Sequence, residues 1–472
     1  MEKFRLESDS IGTLEVPAGA YYGVQSLRGK NNFHITGYGL SDTFITALAY
    51  VKKATSRANY EAGVISKEVE EMIQAADEII AGKFRDQFIT DVIQGGAGTS
   101  MNMNMNEVIA NRANEILGGE LGKYDRCHPN DHVNYGQSTN DVVPTAGKLT
   151  VQLLIKDLLT DLQYLYDTLQ AKGNEFDHVI KMGRTHLQDA VPIRLGQEFR
   201  AFSQPVLRDI KRISAAVEEL TYVNMGATAV GTGINADVEY VKNVVRILSE
   251  VTGFEFKQSP DLVDGTRNLD SFVWLSSALK TCAVNLSKTA NDIRLMASGP
   301  KAGLAEILLP QQQPGSSIMP GKVNPVIPEV LNQVCFQIFG NDITITKAAE
   351  AGQLELNVFE PVLFFNLFQS IEILKNGIIT FIENCLKGIT AQEENCKYWV
   401  DRSVGIITAL NPHIGYKNAA EIAKESIKTG VPVAQIVLQR GLLSKEDLDV
   451  ILNPFEMTKP GIPGKALLKK NK

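Results

Sequence analysis

Through the middle of the chain, apolar residues recur at steps of three and four over unusually long stretches. After Pro144, the residues Leu149, Leu153, Leu154, Leu158, Leu162, Leu165 and Leu169 keep this rhythm until Gly173 supplies a stop, which predicts an amphipathic helix. Phe199, Phe202, Val206, Ile210, Ile213, Val217 and Leu220 predict a second, with a kink at Pro205. Further helices are expected over about 268–298, 325–351 and 361–386. The last is apolar nearly all round, as in a helix buried on every side. Asn366, Glu372, Lys375 and Glu383 interrupt it, so no run is expected to reach bilayer-spanning length. Five helices of roughly 25–30 residues, each about 40 Å long, make a bundle. Its own chain cannot cover every face, so homo-oligomerisation is expected.

The ends of the chain read differently. Phe4 and Leu6 alternate with polar neighbours, and Ile11, Leu14 and Val16 follow a glycine turn, which predicts a small hairpin. Helical spacing runs from Leu40 to Gly82, and a glycine-rich break at Gly95-Gly96-Ala97-Gly98 precedes another helix. From about Gln392 short helices take over, with breaks expected at Asn411-Pro412 and Gly415 and a restart at Ser444-Lys445-Glu446-Asp447. The fold class is therefore mainly α, in three domains: a small-helix domain at 1–138, a central long-helix bundle at 139–394 and a small helical domain at 395–472.

A chain of 472 residues exceeds what one core usually holds. The net charge of −7 and the lack of a Lys/Arg cluster in the body argue against nucleic acid or an anionic membrane as partner. Lys465, Lys469, Lys470 and Lys472 form a solvated basic end. Cys127, Cys282, Cys335, Cys385 and Cys396 form an odd set without CxxC spacing, which fits reduced thiols in a cytoplasmic protein. The start, Met1-Glu2-Lys3-Phe4-Arg5, has no apolar signal region.

Four polar segments interrupt the helices: Gly98-Thr99-Ser100, Gln137-Ser138-Thr139-Asn140-Asp141, Gly183-Arg184-Thr185-His186-Leu187-Gln188-Asp189 and Gly315-Ser316-Ser317-Ile318-Met319-Pro320-Gly321-Lys322-Val323-Asn324-Pro325. In the last, glycines and prolines keep the segment out of the neighbouring helices, leaving two hydroxyls, an ammonium and an amide free to reach an anion. Each segment alone also reads as a cap or turn. Together their uncharged donors, with Lys322 and His186, suit a small polar dianion. The glycines near Gly95 lack the Gly-Lys-Ser/Thr of a phosphate loop. His128 and His132 are spaced four apart, but Pro129 disfavours a helix and no nearby Glu completes a zinc motif. No metal and no cofactor are signalled.

In this order and at these separations, the four segments resemble the fumarase/aspartase superfamily, over essentially the whole chain. Gly95-Gly96-Ala97-Gly98-Thr99-Ser100-Met101-Asn102, Met225-Gly226-Ala227-Thr228-Ala229, Pro328-Glu329-Val330 and Glu350-Ala351-Gly352-Gln353 resemble the branch that removes ammonia from L-aspartate. His128-Pro129-Asn130-Asp131-His132 instead resembles an accessory dicarboxylate stretch of class II fumarases, which keeps a hydratase reading open. A non-catalytic structural protein on this scaffold is the reading from another class. The resemblance implies a homotetramer whose active sites are each shared by three subunits. It also implies a dicarboxylate substrate and an enediolate intermediate, with Ser316 as base and His186 orienting. Thr99, Ser138, Thr139 and Ser317 would surround the β-carboxylate, Thr185, His186, Lys322 and Asn324 the α-carboxylate, and Asn140 the amino group.

Overall fold

The structure, a computed structural model, describes residues 3–66 and 69–469; Met1 and Glu2 of the N-terminus, and Lys470 and Lys472 of the basic end, lie outside the described residues. Five long helices span Thr139–Glu175, Leu195–Glu219, Asp270–Met296, Val326–Glu350 and Glu360–Asn384. The first has 37 residues, about 55 Å at 1.5 Å per residue. It exceeds the sequence expectation because neither Pro144 nor Gly173 breaks it. Proline has no N–H to donate four residues back, which leaves the Asn140 carbonyl without a helical donor. Asn224 Nδ2 supplies one at 3.0 Å. The helix starts at a capping box: Ser138 Oγ accepts from the Asn140 N–H at 3.2 Å, and the Ser138 N–H donates to Asp141 Oδ1 at 3.0 Å.

The chain folds into two compact units. One comprises Met1–Thr160, Asp209–Ala283 and Phe336–Lys375; the other comprises Asp161–Arg208, Val284–Cys335 and Asn376–Lys472. In the first unit, Phe4–Ser8 pairs antiparallel with Thr13–Pro17 as expected. The alternation is inverted, however: Phe4 and Leu6 are exposed, while Glu7 and Val16 are buried. Glu7 is drawn inward because its carboxylate accepts from the Val24 N–H at 3.0 Å and from Arg5 Nε at 2.7 Å. Helices Asp42–Glu61, Val69–Ile80 and Thr99–Ile116 follow. Their neighbour in the core is an aromatic cluster in which Phe364 lies 5.9 Å from Phe44, 5.2 Å from Phe272 and 5.4 Å from Phe368, ring centre to ring centre. A Cβ at Gly147 would stand 2.3 Å from the Phe364 ring, so the helix needs a glycine there.

The segment Glu360–Gly388 is, against the sequence expectation, long and apolar enough to cross a membrane by length and composition, with a mean hydropathy of 1.3; half of its most apolar window is buried in the protein. Glu383 lies exposed on it, while Asn366 and Ser370 are bonded to a neighbouring helix. Asn341 Nδ2 donates to Ser370 Oγ at 2.9 Å and to the Asn366 carbonyl at 3.3 Å.

The second unit contains an antiparallel hairpin of Ile180–Thr185 and Gln188–Arg194 that the helical rhythm gave no sign of. Met182 from this hairpin joins Val400, Ile406, Leu410, Ile422, Ile436, Val437 and Leu448 in one hydrophobic cluster. Asn411-Pro412 does not break the last helices: Pro412 lies inside Ile407–Ile414, which ends at Gly415 with φ +79°. Ser444 caps Lys445–Ile451, its side chain accepting from the Asp447 N–H at 3.1 Å.

Candidate active site

The ten candidate residues divide between the units. Thr99, Ser138, Thr139 and Asn140 belong to the first; Thr185, His186, Ser316, Ser317, Lys322 and Asn324 belong to the second.

In the first unit two helix N-termini meet. Gly96, Ala97 and Gly98 carry φ of +84°, +57° and +91°, a left-handed run that turns the chain sharply into the Thr99 helix. Thr99 is exposed, and its Oγ1 donates to the Gly96 carbonyl at 2.7 Å. Gly98 has no side chain to cap the helix; the Thr99 N–H donates to the Gly96 carbonyl at 3.0 Å and the Met101 N–H to Gln94 Oε1 at 3.1 Å, which leaves the positive end of the helix dipole as what an anion would meet. Asn102, one turn in, directs Nδ2 to Asn134 Oδ1 at 3.2 Å and, at 3.5 Å, to Thr139 Oγ1 at the start of the other helix. Thr99, Ser138 and Thr139 thus stand at two adjacent helix starts. Asn140 donates from Nδ2 to the Ala229 carbonyl at 2.7 Å. A carbonyl can only accept, so this contact fixes the amide with Oδ1 turned the other way. Among the described residues nothing donates to that oxygen.

Beneath this surface lie two buried ionisable groups, Asp141 and Lys52, each hydrogen-bonded to other residues. Asp141 Oδ2 accepts from the N–H groups of Gly226 at 3.2 Å and Thr228 at 3.1 Å. Burial pushes its carboxyl up to about 6, with backbone donors and Lys52 working against that shift. Lys52 is buried too and donates to Asn134 Oδ1 at 2.9 Å and Gln137 Oε1 at 2.8 Å. Burial holds its ammonium down to about 7 despite Asp141.

In the second unit, Thr185 and Gln188 form the last pair of the hairpin, and His186 and Leu187 make its two-residue loop. Both loop residues are left-handed, with φ of +53° and +58°. Tight hairpins of this kind normally place Asn or Gly there, and each ordinary side chain costs about 1–2 kcal/mol. The base of the hairpin is fixed by charge. Lys181 Nζ lies 2.8 Å from Glu198 and 2.7 Å from fully buried Glu306, which also holds Arg184 at 2.5 Å. Burial opposes the Lys181 ammonium, but the two carboxylates outweigh it and hold its pKa above the ordinary lysine value.

The Ser316 segment closes on itself. The Gly315 N–H donates to the Lys322 carbonyl at 2.9 Å, and Asn324 Nδ2 to the Gly315 carbonyl at 2.8 Å. A Cβ at Gly315 would meet the Lys322 carbonyl at 2.3 Å, so only glycine allows this closure. Ser316 Oγ accepts from the Ile318 N–H at 3.2 Å, while Ser317 and Lys322 are exposed and Ile318 is 83% exposed. Asn324 therefore serves the loop through its amide nitrogen, a role the sequence did not suggest.

Other candidates resolve into structure. Pro129 does not prevent a helical turn at Pro129–Val133; it occupies the first position, where its missing N–H costs nothing. The His132 ring nitrogen Nδ1 accepts from the His128 N–H at 2.7 Å. All five cysteines are buried and none is in a disulfide. The sequence reading missed Lys52, Asp141 and Asn224. Only Asp141 left a trace, as the acidic residue three places after Ser138.

Comparison with known proteins bears on all of this. A family model described as Lyase matches residues 12–340, and one described as Fumarase C C-terminus matches residues 406–459. A protein named aspartate ammonia-lyase from Bacillus subtilis (strain 168) is 57% identical over 470 residues, covering 99% of both chains. Another of that name from Helicobacter pylori (strain ATCC 700392 / 26695) is 50% identical, covering 97% of this chain and 98% of its own. Among solved structures, a fumarate lyase:delta crystallin from Brucella melitensis bound to cobalt superposes with a TM-score of 0.95 at 47% identity, over 97% of this chain and 100% of that one. A class II fumarase from Schistosoma mansoni superposes with a TM-score of 0.93 at 34% identity, over 97% of this chain and 100% of that one. With family models matched across both units and relatives aligned almost end to end, the chain belongs to the fumarase/aspartase superfamily of lyases.

Proposed function

We propose that the protein is an aspartate ammonia-lyase, a carbon–nitrogen lyase that interconverts L-aspartate with fumarate and ammonia. The full-length similarity to proteins of that name supports the reading. The observation in the structure that carries it is Asn140, whose Oδ1 stands open as a neutral acceptor for an ammonium beside the hydroxyls of Ser138 and Thr139.

Elimination requires loss of a Cβ proton next to a carboxylate, and the resulting enediolate carries double negative charge that donors must meet. Thr99, Ser138 and Thr139, at two positive helix ends, suit the β-carboxylate, with Ser317 completing the set. Ser316 takes the Cβ proton. A serine hydroxyl is a poor base until positive charge and backbone N–H groups favour its alkoxide and closure excludes water. Lys322 supplies the positive charge and, with Asn324, Thr185 and His186, binds the α-carboxylate. His186 orients the substrate, since ammonia can depart without a proton from the enzyme.

The working form is a homotetramer with active sites shared by three subunits. In its support, the Val326–Glu350 helix exposes Phe336 and Ile343 on one face, two turns apart, and the Asp270–Met296 helix exposes Trp274 and Val284. The exposure of Thr185, His186, Ser317 and Lys322 also fits sites that a partner completes. We keep the three-domain division at 1–138, 139–394 and 395–472, and five buried cysteines outside any disulfide support a cytoplasmic setting. The stretch from His128 to His132 favours a class II fumarase as the second reading. A structural protein would have no use for Ser316, His186, Lys322 and Asn324 together. Following fumarate absorbance with L-aspartate and with L-malate distinguishes all three: release from aspartate, from malate, or from neither.

A further inference from the structure

We propose that Asp141 and Asn224 are positioning residues for the subsite that receives the amino group, acting through the Asn140 amide. The inference rests on the ammonia-lyase reading and on Asn140 as the ammonium contact.

Two hydrogen bonds hold Asn140 directly, and Asp141 holds the turn that supplies one of them. Pro144 deprives its carbonyl of a helical donor, and Asn224 Nδ2 replaces that donor at 3.0 Å while also reaching Thr266 Oγ1 at 3.0 Å. The Asn140 side chain is held through Nδ2 by the Ala229 carbonyl at 2.7 Å. The turn that presents Ala229 is itself fastened to Asp141, whose Oδ2 takes the N–H groups of Gly226 and Thr228. Through Oδ1 the same carboxylate takes the Ser138 N–H, so one group sets the distance between the helix start and the turn.

This arrangement costs more than a helix start requires. Ser138 alone could cap the helix, whereas a fully buried carboxylate must give up its hydration to do so. Thr228, a β-branched residue, is also forced to φ +55°, a conformation that persists only where its surroundings over-determine it. The result of both expenses is a fixed amide with a single open acceptor. A geometry held this way matters to a ligand that brings an ammonium and not to one that brings only carboxylates.

The test compares the assembled wild type with Asn140→Ala, Asp141→Asn and Asn224→Ala, reading KM for L-aspartate against the inhibition constant of succinate, which has both carboxylates and no amine. Misaligning a hydrogen bond to a charged group should raise KM for aspartate about tenfold or more in Asn224→Ala while succinate inhibition stays within about twofold; Asp141→Asn, which also loosens the Ser138 N–H beside the β-carboxylate, should weaken both ligands but aspartate about tenfold more. Parallel losses for both ligands, or an unchanged KM, would overturn the proposal. If Asp141→Asn does not assemble, Asn224→Ala and Asn224→Asp decide by the same split. The outcomes also separate the underlying readings. A wild type inactive on aspartate removes the ammonia-lyase assignment, and an Asn140→Ala variant without the split removes Asn140 as the ammonium contact. A split in Asn140→Ala alone removes only Asp141 and Asn224.

Discussion

In the proposed reading, Ser316 is the residue on which the chemistry turns. Replacing it with alanine removes a group that acts only as the Cβ proton leaves, so Ser316→Ala should keep the fold and lower kcat by about 10²–10⁴-fold. Retention of most activity would remove it as base. Lys322→Ala removes the exposed cation of the same loop, so it should raise KM and the inhibition constant of succinate together; an unchanged affinity would contradict its carboxylate role. Ser316 and Lys322 stand out in the sequence because they lie in a loop between helices, where side chains have little packing to do. Lys52 and Asn224 were not legible. Each is a polar residue inside otherwise ordinary sequence, and only the fold brings Lys52 within 2.9 Å of Asn134 and Asn224 within 3.0 Å of Asn140.

At the scale of elements, helical periodicity carried most of the information. It located all five long helices, because long amphipathic repeats outweigh single breakers. It misplaced the start of the Thr139 helix because Pro144 reads as a break unless a distant side chain satisfies the freed carbonyl, as Asn224 does. The hairpin of Ile180–Thr185 and Gln188–Arg194 was invisible because its loop, His186-Leu187, lacks the Asn or Gly that signals such turns. Its strain predicts that Leu187→Asn raises stability by about 0.5–1 kcal/mol, with a lowered melting temperature as the contrary result. Gly147→Ala should do the opposite. Its new methyl meets the Phe364 ring, and overpacking of this kind costs about 1–3 kcal/mol by thermal or denaturant unfolding.

For the whole molecule, assembly and pH response follow from what the chain leaves exposed and what it buries. Ile343 is 66% exposed on its helix; if the proposed tetramer packs through this face, Ile343→Glu should dissociate it in light scattering and abolish activity together, whereas an active, intact assembly would place the interface elsewhere. Burial holds the Lys52 ammonium down to about 7, against an ordinary value of 10.5. Between those values the unfolded chain binds a proton that the native protein does not, so this residue makes stability rise with pH across that window. Lys52→Met should lose the rise, as followed by melting temperature. The central claim concerns the leaving group, since both an ammonia-lyase and a hydratase can use Ser316 and an enediolate. The direct measurement is fumarate formation by the same enzyme preparation at saturating L-aspartate and at saturating L-malate. A rate from L-aspartate far above that from L-malate is predicted; comparable or faster turnover of L-malate would contradict the account.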